Sequence, residues 1–286
     1  MNKLLTTSIL FAFLLTACTE AVVELQEDIH SAEDNLLVEK LFYSTFDIVD
    51  DLISSNEIYT YEGSTLLPSD VKIINVDSTF NDGDGLEVIL DFGRLGKELP
   101  LGTLCPDGIY RSGKLHIKIK GEYILPDNVI NCSFAYADEF YSGNGETMNQ
   151  LVGNIAVTRI SPLRHKIEVH DAFVKLADTE LLWSCEREIE LKHDAGSGAY
   201  GDTYEVTGTA SGTNRLNIRY HVSIDEALIK TLEKGCARVF KSGIVTIEEE
   251  DNDKLFRVDY DPYDNSACDQ TVLIEVNGKR SIYTLD

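Results

Sequence analysis

The stretch that decides the fold most clearly is residues 242–260, SGIVTIEEEDNDKLFRVDY. Apolar and polar residues alternate on both sides of a centre rich in Asp and Asn, which is typical of two antiparallel strands joined by a tight turn. A two-residue turn at Asp251-Asn252 sets three cross-strand pairs: Ile247 with Phe256, Val245 with Val258, and Gly243 with Tyr260. We therefore expect a hairpin with one apolar face, in which the Tyr260 ring covers Gly243.

The same alternation of apolar and polar residues continues over most of the chain. Alternating runs at 86–92, 114–123 and 203–209 are separated by turn-rich segments such as 81–85 and 142–145. This pattern predicts an all-β body over residues 57–286, built from antiparallel sheets or a sandwich. One exception is the capping-box pattern Ser-Ile-Asp-Glu at 223–226, which predicts a short second helix leading into 227–234.

A weak internal repeat divides this body. Residues 109–117, IYRSGKLHI, follow Cys105, and residues 239–247, VFKSGIVTI, follow Cys236. Each copy also has an Asp-aromatic pair, at 91–92 and at 259–260. The repeat predicts two related β units packed side by side, with possible lobes at 57–162 and 163–286. The alternative is a chance similarity between strands.

Residues 31–56 predict an amphipathic helix before the β body. Ser31 is suited to cap its N-terminus. The apolar positions recur at helical spacing: Val38, Leu41, Phe42, Phe46, Val49, Leu52 and Ile53. Charged residues lie largely on the other side: Glu39, Lys40, Asp47 and Asp50. We expect the helix to pack on the body; a free helix that binds a partner is the alternative.

The N-terminal 17 residues have the layout of a secretory signal: one basic residue, Lys3, a short apolar run, and small residues before Cys18. The run is much shorter than the roughly 20 residues of a membrane-spanning helix. Leu15-Thr16-Ala17-Cys18 resembles the bacterial lipoprotein box, which predicts lipidation of Cys18 and an acidic tether over 18–30. The alternative is an ordinary signal peptide with a coincidental cysteine.

Charge narrows the choice of partners. The chain has 25 basic and 49 acidic residues, a net charge of −24. Nucleic-acid binding requires clustered Lys and Arg, so we expect no nucleic-acid partner. The same charge repels an anionic membrane leaflet, so the lipid on Cys18 is expected to hold the protein to the membrane by itself. A protein or glycan partner stays open.

Six cysteines include Cys18 and leave five for the folded body. An exported chain meets an oxidising compartment, where disulfides form. Extending the hairpin register outward brings Cys236 next to Cys268, which makes them the candidates for a disulfide. The odd count then leaves at least one unpaired thiol among three cysteines: Cys105, Cys132 and Cys185.

The hairpin residues also carry a family resemblance. Ser242-Gly243, Asp259-Tyr260, Cys268-Asp269 and Asn277-Gly278-Lys279 resemble the C-terminal part of uncharacterised β-rich lipoproteins of Bacteroidota. Upstream, 90–93, 105–108 and 111–114 resemble the N-terminal counterpart in that group. The resemblance covers about residues 86–286 and implies a β-rich lipoprotein; it carries no activity, cofactor or site residues.

Candidate sites are sparse. The string G-x-G-x-x-G at 196–201 precedes a strand-like run, so it predicts a hairpin loop rather than a phosphate cradle. His165 and His170 are predicted on opposite strand faces, and no metal-binding motif is present. The acidic loops 77–84 and 259–269 have oxygen donors for calcium, although ordinary turn chemistry also explains them.

Aromatic residues offer one further possibility. Trp183 and the 13 tyrosines are expected mainly to fill the core and the strands, and a sugar-stacking platform is the alternative; the tyrosines expected to be most exposed are Tyr59, Tyr61, Tyr136 and Tyr141. No catalytic residue is assigned. We expect an envelope-anchored lipoprotein, in the outer membrane, with a non-enzymatic binding or structural role. The alternatives are a glycan-binding or glycan-processing accessory protein and an enzyme of unrecognised type.

Overall fold

A computed structural model describes residues 29–54, 66–77, 85–120, 126–196, 200–233, 240–265 and 270–285, with the side chains of residues 54 and 136 left out. The described part of the chain contains one α-helix and a set of β-strands. Their bounds are: α1 His30–Ser54; β1 Lys72–Asp77; β2 Leu86–Asp91; β3 Thr103–Leu104; β4 Tyr110–Ser112; β5 Lys114–Lys120; β6 Val129–Phe134; β7 Tyr141–Gly143; β8 Met148–Ser161; β9 Arg164–Lys175; β10 Glu180–His193; β11 Thr203–Thr213; β12 Arg219–Thr231; β13 Ser242–Glu249; β14 Leu255–Asp259; β15 Thr271–Val276; β16 Lys279–Thr284.

The strands form one antiparallel sheet, which confirms the predicted all-β fold. Its order is β1-β2-β5-β6-β8-β9-β10-β11-β12-β13-β14-β15-β16, and β3, β4 and β7 form a side branch attached to β8. Ser161 pairs with Arg164 where β8 meets β9, so the sheet is continuous across the predicted lobe boundary at 162–163. Both halves of the chain therefore contribute strands to the same sheet.

The β13–β14 hairpin has the predicted register. Ile247 pairs with Phe256 and Val245 with Val258, and the Tyr260 N–H donates to the Gly243 carbonyl. The connection is longer than the predicted two-residue turn, because the last ladder pair is Glu248 with Leu255. The apolar members of these pairs are buried, as the alternation requires.

The structure shows a reason for glycine at position 243 that the sequence did not indicate. Its φ is +117°, and the atoms nearest to an added Cβ would be Ala227 O at 2.6 Å and two Leu228 carbon atoms at 2.8 Å. The close approach of strand β12 therefore favours glycine at this position, whereas the covering of Gly243 by the Tyr260 ring stays a prediction.

The predicted short helix over 223–234 is wrong, because residues 219–231 form strand β12. This strand pairs with β11 on one side and β13 on the other. Its register against β13 shifts between Ile224 and Glu226 and again between Glu226 and Ile229. Sheet hydrogen bonds on both edges outweigh the local capping-box preference, which is a weak prior.

The internal repeat has a structural counterpart. The Phe92 N–H donates to the Gly113 carbonyl at 2.9 Å, and the Tyr260 N–H donates to the Gly243 carbonyl at 3.0 Å. In the first copy the aromatic residue lies upstream of its glycine, and in the second it lies downstream. Both copies therefore place the aromatic residue opposite the glycine of a neighbouring strand.

Helix α1 confirms the predicted helix and forms the centre of the core. It begins at His30, and most of its side chains are buried on every side; a half-exposed stripe runs along Glu33, Leu37 and Lys40. The side chain of Ser31 donates to Glu249 Oε1 at 2.5 Å, so Ser31 makes a tertiary contact rather than the expected cap. No helix in the described ranges is long and apolar enough to cross a bilayer.

One residue of the predicted polar side departs from the expectation of an amphipathic helix: Glu39 is 1% exposed, whereas Lys40, Asp47 and Asp50 are only partly buried. Glu39 Oε1 accepts from Arg187 Nη2 at 2.8 Å, and its Oε2 accepts from the Tyr260 hydroxyl at 2.7 Å. Asp47 lies 2.5 Å from Lys230 Nζ. Strands on several sides therefore supply partners for the charges of α1, and the sheet must curl around the helix.

An aromatic cluster packs against one side of α1. Phe42 stacks on Trp183 with ring centroids 5.3 Å apart, and it also contacts Phe134 at 5.8 Å. Trp183 Nε1 donates to Asn35 Oδ1 at 3.2 Å, which satisfies the indole N–H inside the core. Strands β6 and β10 are thus fixed to the helix from opposite halves of the chain.

Bulges allow the sheet to curl. The register shifts of β9 against β8 and against β10 fall at the same place, where β9 has one extra residue between Val169 and Phe173. Between the pairs Val206–Leu228 and Thr209–Ser223, β12 has two residues more than β11. A bulge bends its strand and increases its twist, so these positions curve the sheet toward α1.

Candidate functional site

The candidate site is a groove beside the N-terminal half of α1, called here the helix groove. Its volume is about 370 Å³. The lining comes from α1, the loop before β4, the β7–β8 turn, the end of β9, the β11–β12 turn and the C-terminal hairpin. The residues are Glu33, Leu37, Lys40, Leu41, Gly108, Ile109, Gly143, Asn144, Thr147, Asn149, Leu176, Arg215, Gln270, Tyr283 and Leu285.

The groove exists because the sheet leaves one stripe of α1 uncovered. Glu33, Leu37 and Lys40 lie three or four residues apart, so they share one helix face. Leu41, next to this stripe, is 2% exposed and forms the boundary with the core. A ligand in the helix groove would therefore contact the helix directly.

A fixed cation lies at one end of the helix groove. Arg215 donates through Nε to Asp34 Oδ1 at 2.8 Å, and its main-chain N–H donates to Asp34 Oδ2 at 2.7 Å. Its Nη2 also lies 3.7 Å from Glu33 Oε2. These two carboxylates more than neutralise the guanidinium, so this end of the groove is polar and slightly acidic.

Amide side chains also line the helix groove. Asn144 Oδ1 accepts from the N–H groups of Glu146 and Thr147, so it holds its own turn in place. Gln270 Oε1 is buried and has no hydrogen-bond partner among the described residues. A buried acceptor without a donor is unfavourable, so Gln270 is the position where a ligand donor would contribute most.

The remaining wall is apolar. Leu176, Ile109 and Leu285 combine with the half-exposed Tyr283 ring to give a surface that excludes water from one side of a ligand. Leu285 is fixed by its N–H bond to the Gln270 carbonyl at 2.8 Å. The groove can therefore bind a group that has one apolar face and a hydrogen-bond donor, and its described lining contains neither histidine nor cysteine.

The predicted lipidation and disulfide residues are not among those the structure describes. Cys18, Cys236 and Cys268 lie outside its ranges, as do the signal peptide and most of the tether. Lipidation of Cys18 and the Cys236–Cys268 pair therefore stay predictions.

The three cysteines that the structure does describe, Cys105, Cys132 and Cys185, are buried and free. Burial raises the pKa of each thiol, that of Cys185 to about 12. These thiols are therefore protonated and unreactive at neutral pH.

The histidines and acidic loops are not brought together as a metal site. His165 is 7% exposed while His170 lies on the outside, which confirms their predicted opposite faces. Within the described ranges no three His, Cys, Asp or Glu side chains form a group that would hold a metal ion. The Asp259 carboxylate accepts from the Asp261 N–H at 3.0 Å, as turn chemistry predicts; residues 78–84 and 266–269 lie outside the described ranges.

The sugar-stacking alternative is wrong for Trp183. Trp183 is 2% exposed and stacks on Phe42, so no ligand can reach its face. Tyr141 is half-buried, whereas Tyr59, Tyr61 and the side chain of Tyr136 are not among the residues that the structure describes.

The G-x-G-x-x-G string lies between β10 and β11, so the predicted following strand is confirmed.

Sequence reasoning missed the helix groove altogether. Its lining comes from six separate segments that only the curled sheet brings together, and no local motif marks them. The sequence contains one indication of the groove: the apolar residue Leu37 lies between the charged residues Glu33 and Lys40 on the same helix face. No family model, curated protein or solved structure matches the chain.

Proposed function

We propose that this protein is an envelope lipoprotein, anchored in the outer membrane through a lipid on Cys18, with a non-enzymatic binding role. The lipoprotein-box motif and the resemblance to β-rich lipoproteins of Bacteroidota support the anchor. The helix groove is the proposed binding site. Its lining combines apolar side chains with a few polar groups, which is typical of ligand-binding pockets.

The observation that carries the binding role is the unpartnered acceptor Gln270 Oε1 beside the apolar residues Tyr283 and Leu285. An acceptor in this position favours ligands with hydroxyl or amide donors next to a ring or alkyl face. Sugars have both features, because a pyranose presents C–H groups on one face and hydroxyls around its edge. The alternative role as a glycan-binding accessory protein follows from the same residues.

A glycan array tests the groove. The full-length lipoprotein is applied in neutral detergent, and the Tyr283→Ala and Gln270→Leu variants are compared with it. Tyr263→Ala is the matched control, because Tyr263 is 58% exposed and lies outside the groove lining. The proposal expects both groove variants to lose binding of the same glycans while the control keeps it. Equal binding by all four proteins would remove the helix groove as the site.

Membrane fractionation tests the anchor separately. The Cys18→Ala variant is expected to move from the membrane fraction to the soluble envelope fraction, because each buried CH₂ of the lost lipid contributes about 0.8 kcal/mol. Ala17→Ser, which keeps a small residue and the cysteine, is the control and should stay with the membrane. Unchanged partitioning of the Cys18→Ala protein would contradict lipidation.

A further inference from the structure

The outer face of strand β5 carries a row of basic side chains. Leu115, Ile117 and Ile119 point into the core and are at most 1% exposed. The alternate residues Lys114, His116, Lys118 and Lys120 therefore point outward. At about 3.4 Å per residue the row is about 20 Å long, which is enough to contact several units of an extended polymer.

The lysines of this row are among the described basic residues that form no ion pair, as are Lys72, Arg94, Arg257 and Lys279. Lys114, Lys118 and Lys120 form no ion pair with any residue in the described part of the chain. Elsewhere in the described ranges, ten basic side chains are paired with carboxylates: Arg111, Arg164, Lys166, Arg187, Lys192, Arg215, Arg219, Lys230, Lys241 and Arg280. The β5 row thus keeps its positive charge available in a chain whose net charge is −24.

The strands on one side of the row are neutral. On the outer face of β6, Val129 pairs across from Lys120, Asn131 from Lys118 and Ser133 from His116. Beyond β6 the outward residues of β8 are also uncharged: Asn154, Ala156 and Thr158. Among the described residues, the outward faces of β6 and β8 therefore present no carboxylate to an anionic polymer that lies along β5.

Acids lie on the other side. Glu87 and Asp91 of β2 are opposite Lys118 and Lys114, and Asp138 contacts His116 at 3.1 Å. Asp91 accepts from the Gly93 N–H at 2.9 Å, so part of its charge is already compensated. These acids repel an anion that approaches from the β2 side, so only a narrow strip along β5 and β6 can bind one. Such a strip disfavours binding of a broad anionic surface or of a densely charged duplex.

A cleft of about 770 Å³ opens at the Lys114 end of the row. Lys72 and Arg94 line it together with Lys114, and neither forms an ion pair with a described residue. Four carboxylates also line the cleft, Asp70, Asp91, Asp138 and Glu139, so its acidic side chains outnumber its three basic ones; the carboxylates can accept hydrogen bonds from hydroxyl groups. The cleft therefore combines cations for acidic groups with acceptors for hydroxyls.

We propose that the β5 row and this cleft bind an acidic polysaccharide, with its carboxylate or sulfate groups on the lysines and its hydroxyls on the cleft carboxylates. Hydroxyl donors and widely spaced charges fit this surface better than the closely spaced phosphates of a nucleic acid, which offer no donors. The inference deepens the binding role proposed above, but it depends on neither the lipid on Cys18 nor the helix groove.

The test measures binding of the full-length lipoprotein, in neutral detergent, to chondroitin sulfate, alginate, neutral dextran and duplex DNA. At low salt we expect binding to chondroitin sulfate, which carries carboxylate and sulfate groups, or to alginate, which carries carboxylates alone; binding of alginate shows that carboxylates are sufficient. Binding should weaken as salt rises, because screening reduces the attraction of exposed charges. Dextran should not bind measurably, and DNA should bind more weakly than the acidic polysaccharides.

Matched variants assign the surface. Replacing Lys114 and Lys118 together by Gln should weaken polysaccharide binding about tenfold, whereas the same change at Arg257 and Lys279 should alter it less than about twofold. Both control residues are free of ion pairs with described residues and lie on β14 and β16. Matching melting temperatures show that both double variants are folded.

Four results would overturn the inference: no binding to either acidic polysaccharide, equal loss in both double variants, equal binding of dextran, or tighter binding of DNA. Tyr283→Ala separates this proposal from the helix groove. That variant should keep its affinity for the acidic polysaccharide even where it loses the ligands of the groove.

Discussion

Buried charges dominate this protein at the scale of single residues. Glu39 and Arg187 are paired inside the core, with side-chain exposures of 2% and 0%. Such a pair gains little over an apolar pair of the same shape, because desolvation offsets most of the attraction. Removing one partner is different, since the other charge is then left buried and uncompensated. We infer that these pairs mainly determine where α1 lies within the sheet.

The Glu39→Gln variant tests this idea. It leaves the Arg187 guanidinium buried without a counter-charge, so the free energy of unfolding should fall by about 3–5 kcal/mol. Urea denaturation followed by fluorescence of Trp183 measures the change. Glu188→Gln is the control; its pair with Arg164 is nearly half exposed, so the loss should stay below about 1 kcal/mol. Similar losses in both variants would contradict the argument.

Asp47 should make stability depend on pH. Burial raises the pKa of Asp47 from 3.8 to about 6, despite its contact with Lys230. The folded state then binds a proton more tightly than the unfolded state, so this residue stabilises the fold below pH 4. That contribution is lost as the pH rises through 6.

The comparison of wild type with Asp47→Asn isolates this effect. Between pH 4 and pH 7 the wild-type free energy of unfolding should fall, relative to that of the variant, by about 3 kcal/mol. Urea denaturation across this range measures the difference, and Asp251→Asn, at an exposed position on the β13–β14 turn, is the control. A difference that is constant with pH would mean that the Asp47 pKa is unshifted.

At the scale of elements, the bulges decide the curvature of the sheet. Gly208 lies at the register shift of β11, opposite Arg187, and its φ is +117°. Its carbonyl accepts from Arg187 Nη1 at 3.1 Å. This bulge therefore bends the sheet where it meets α1 and also orients the arginine that pairs with Glu39.

Gly208→Ala should be strongly destabilising. An added Cβ would lie 2.3 Å from the Glu186 carbonyl oxygen, a backbone atom that cannot move alone. We expect a loss of more than about 2 kcal/mol in the free energy of unfolding. Gly278→Ala is the control, because its φ of +74° is also positive but no atom lies within 4 Å; about 1 kcal/mol is expected there. Thermal denaturation of both variants measures the two losses, and equal losses would contradict the role of the Glu186 contact.

At the scale of the whole molecule, α1 connects the two halves of the chain. The Ser44 carbonyl accepts from Arg111 Nη2 at 3.1 Å in the first half, and Asp47 pairs with Lys230 in the second. The sheet itself is continuous through β8 and β9. Neither half can therefore bury its inner face without the helix that both share.

Calorimetry measures the consequence. We expect one thermal transition, with a calorimetric enthalpy equal to the van't Hoff enthalpy, because unfolding of either half exposes the core of the other. Two separable transitions would instead support the lobes predicted at 57–162 and 163–286. Phe42→Ala should lower the single melting temperature without splitting it, because Phe42 contacts both Phe134 and Trp183.

By itself the sequence determined the all-β class, the helix near the N-terminus and the register of the 242–260 hairpin. These features depend on periodicity and turn residues within a few positions of each other, which a linear pattern records. The capping box at 223–226 led to the wrong prediction of a short helix. Hydrogen bonds with β11 and β13 outweigh the local helix preference of these residues, and a local pattern does not record such pairing.

Only the tertiary structure decided where the charges of α1 lie, how the helix groove forms and which lysines stay unpaired. A helical period shows which residues share a face, but whether that face meets water or Arg187 depends on the curvature of a sheet closed by strands far apart in sequence. The alternation along β5 shows that its lysines face outward, but only the structure shows their neighbours: β2 places acids opposite two of them, and β6 places uncharged residues on the other side.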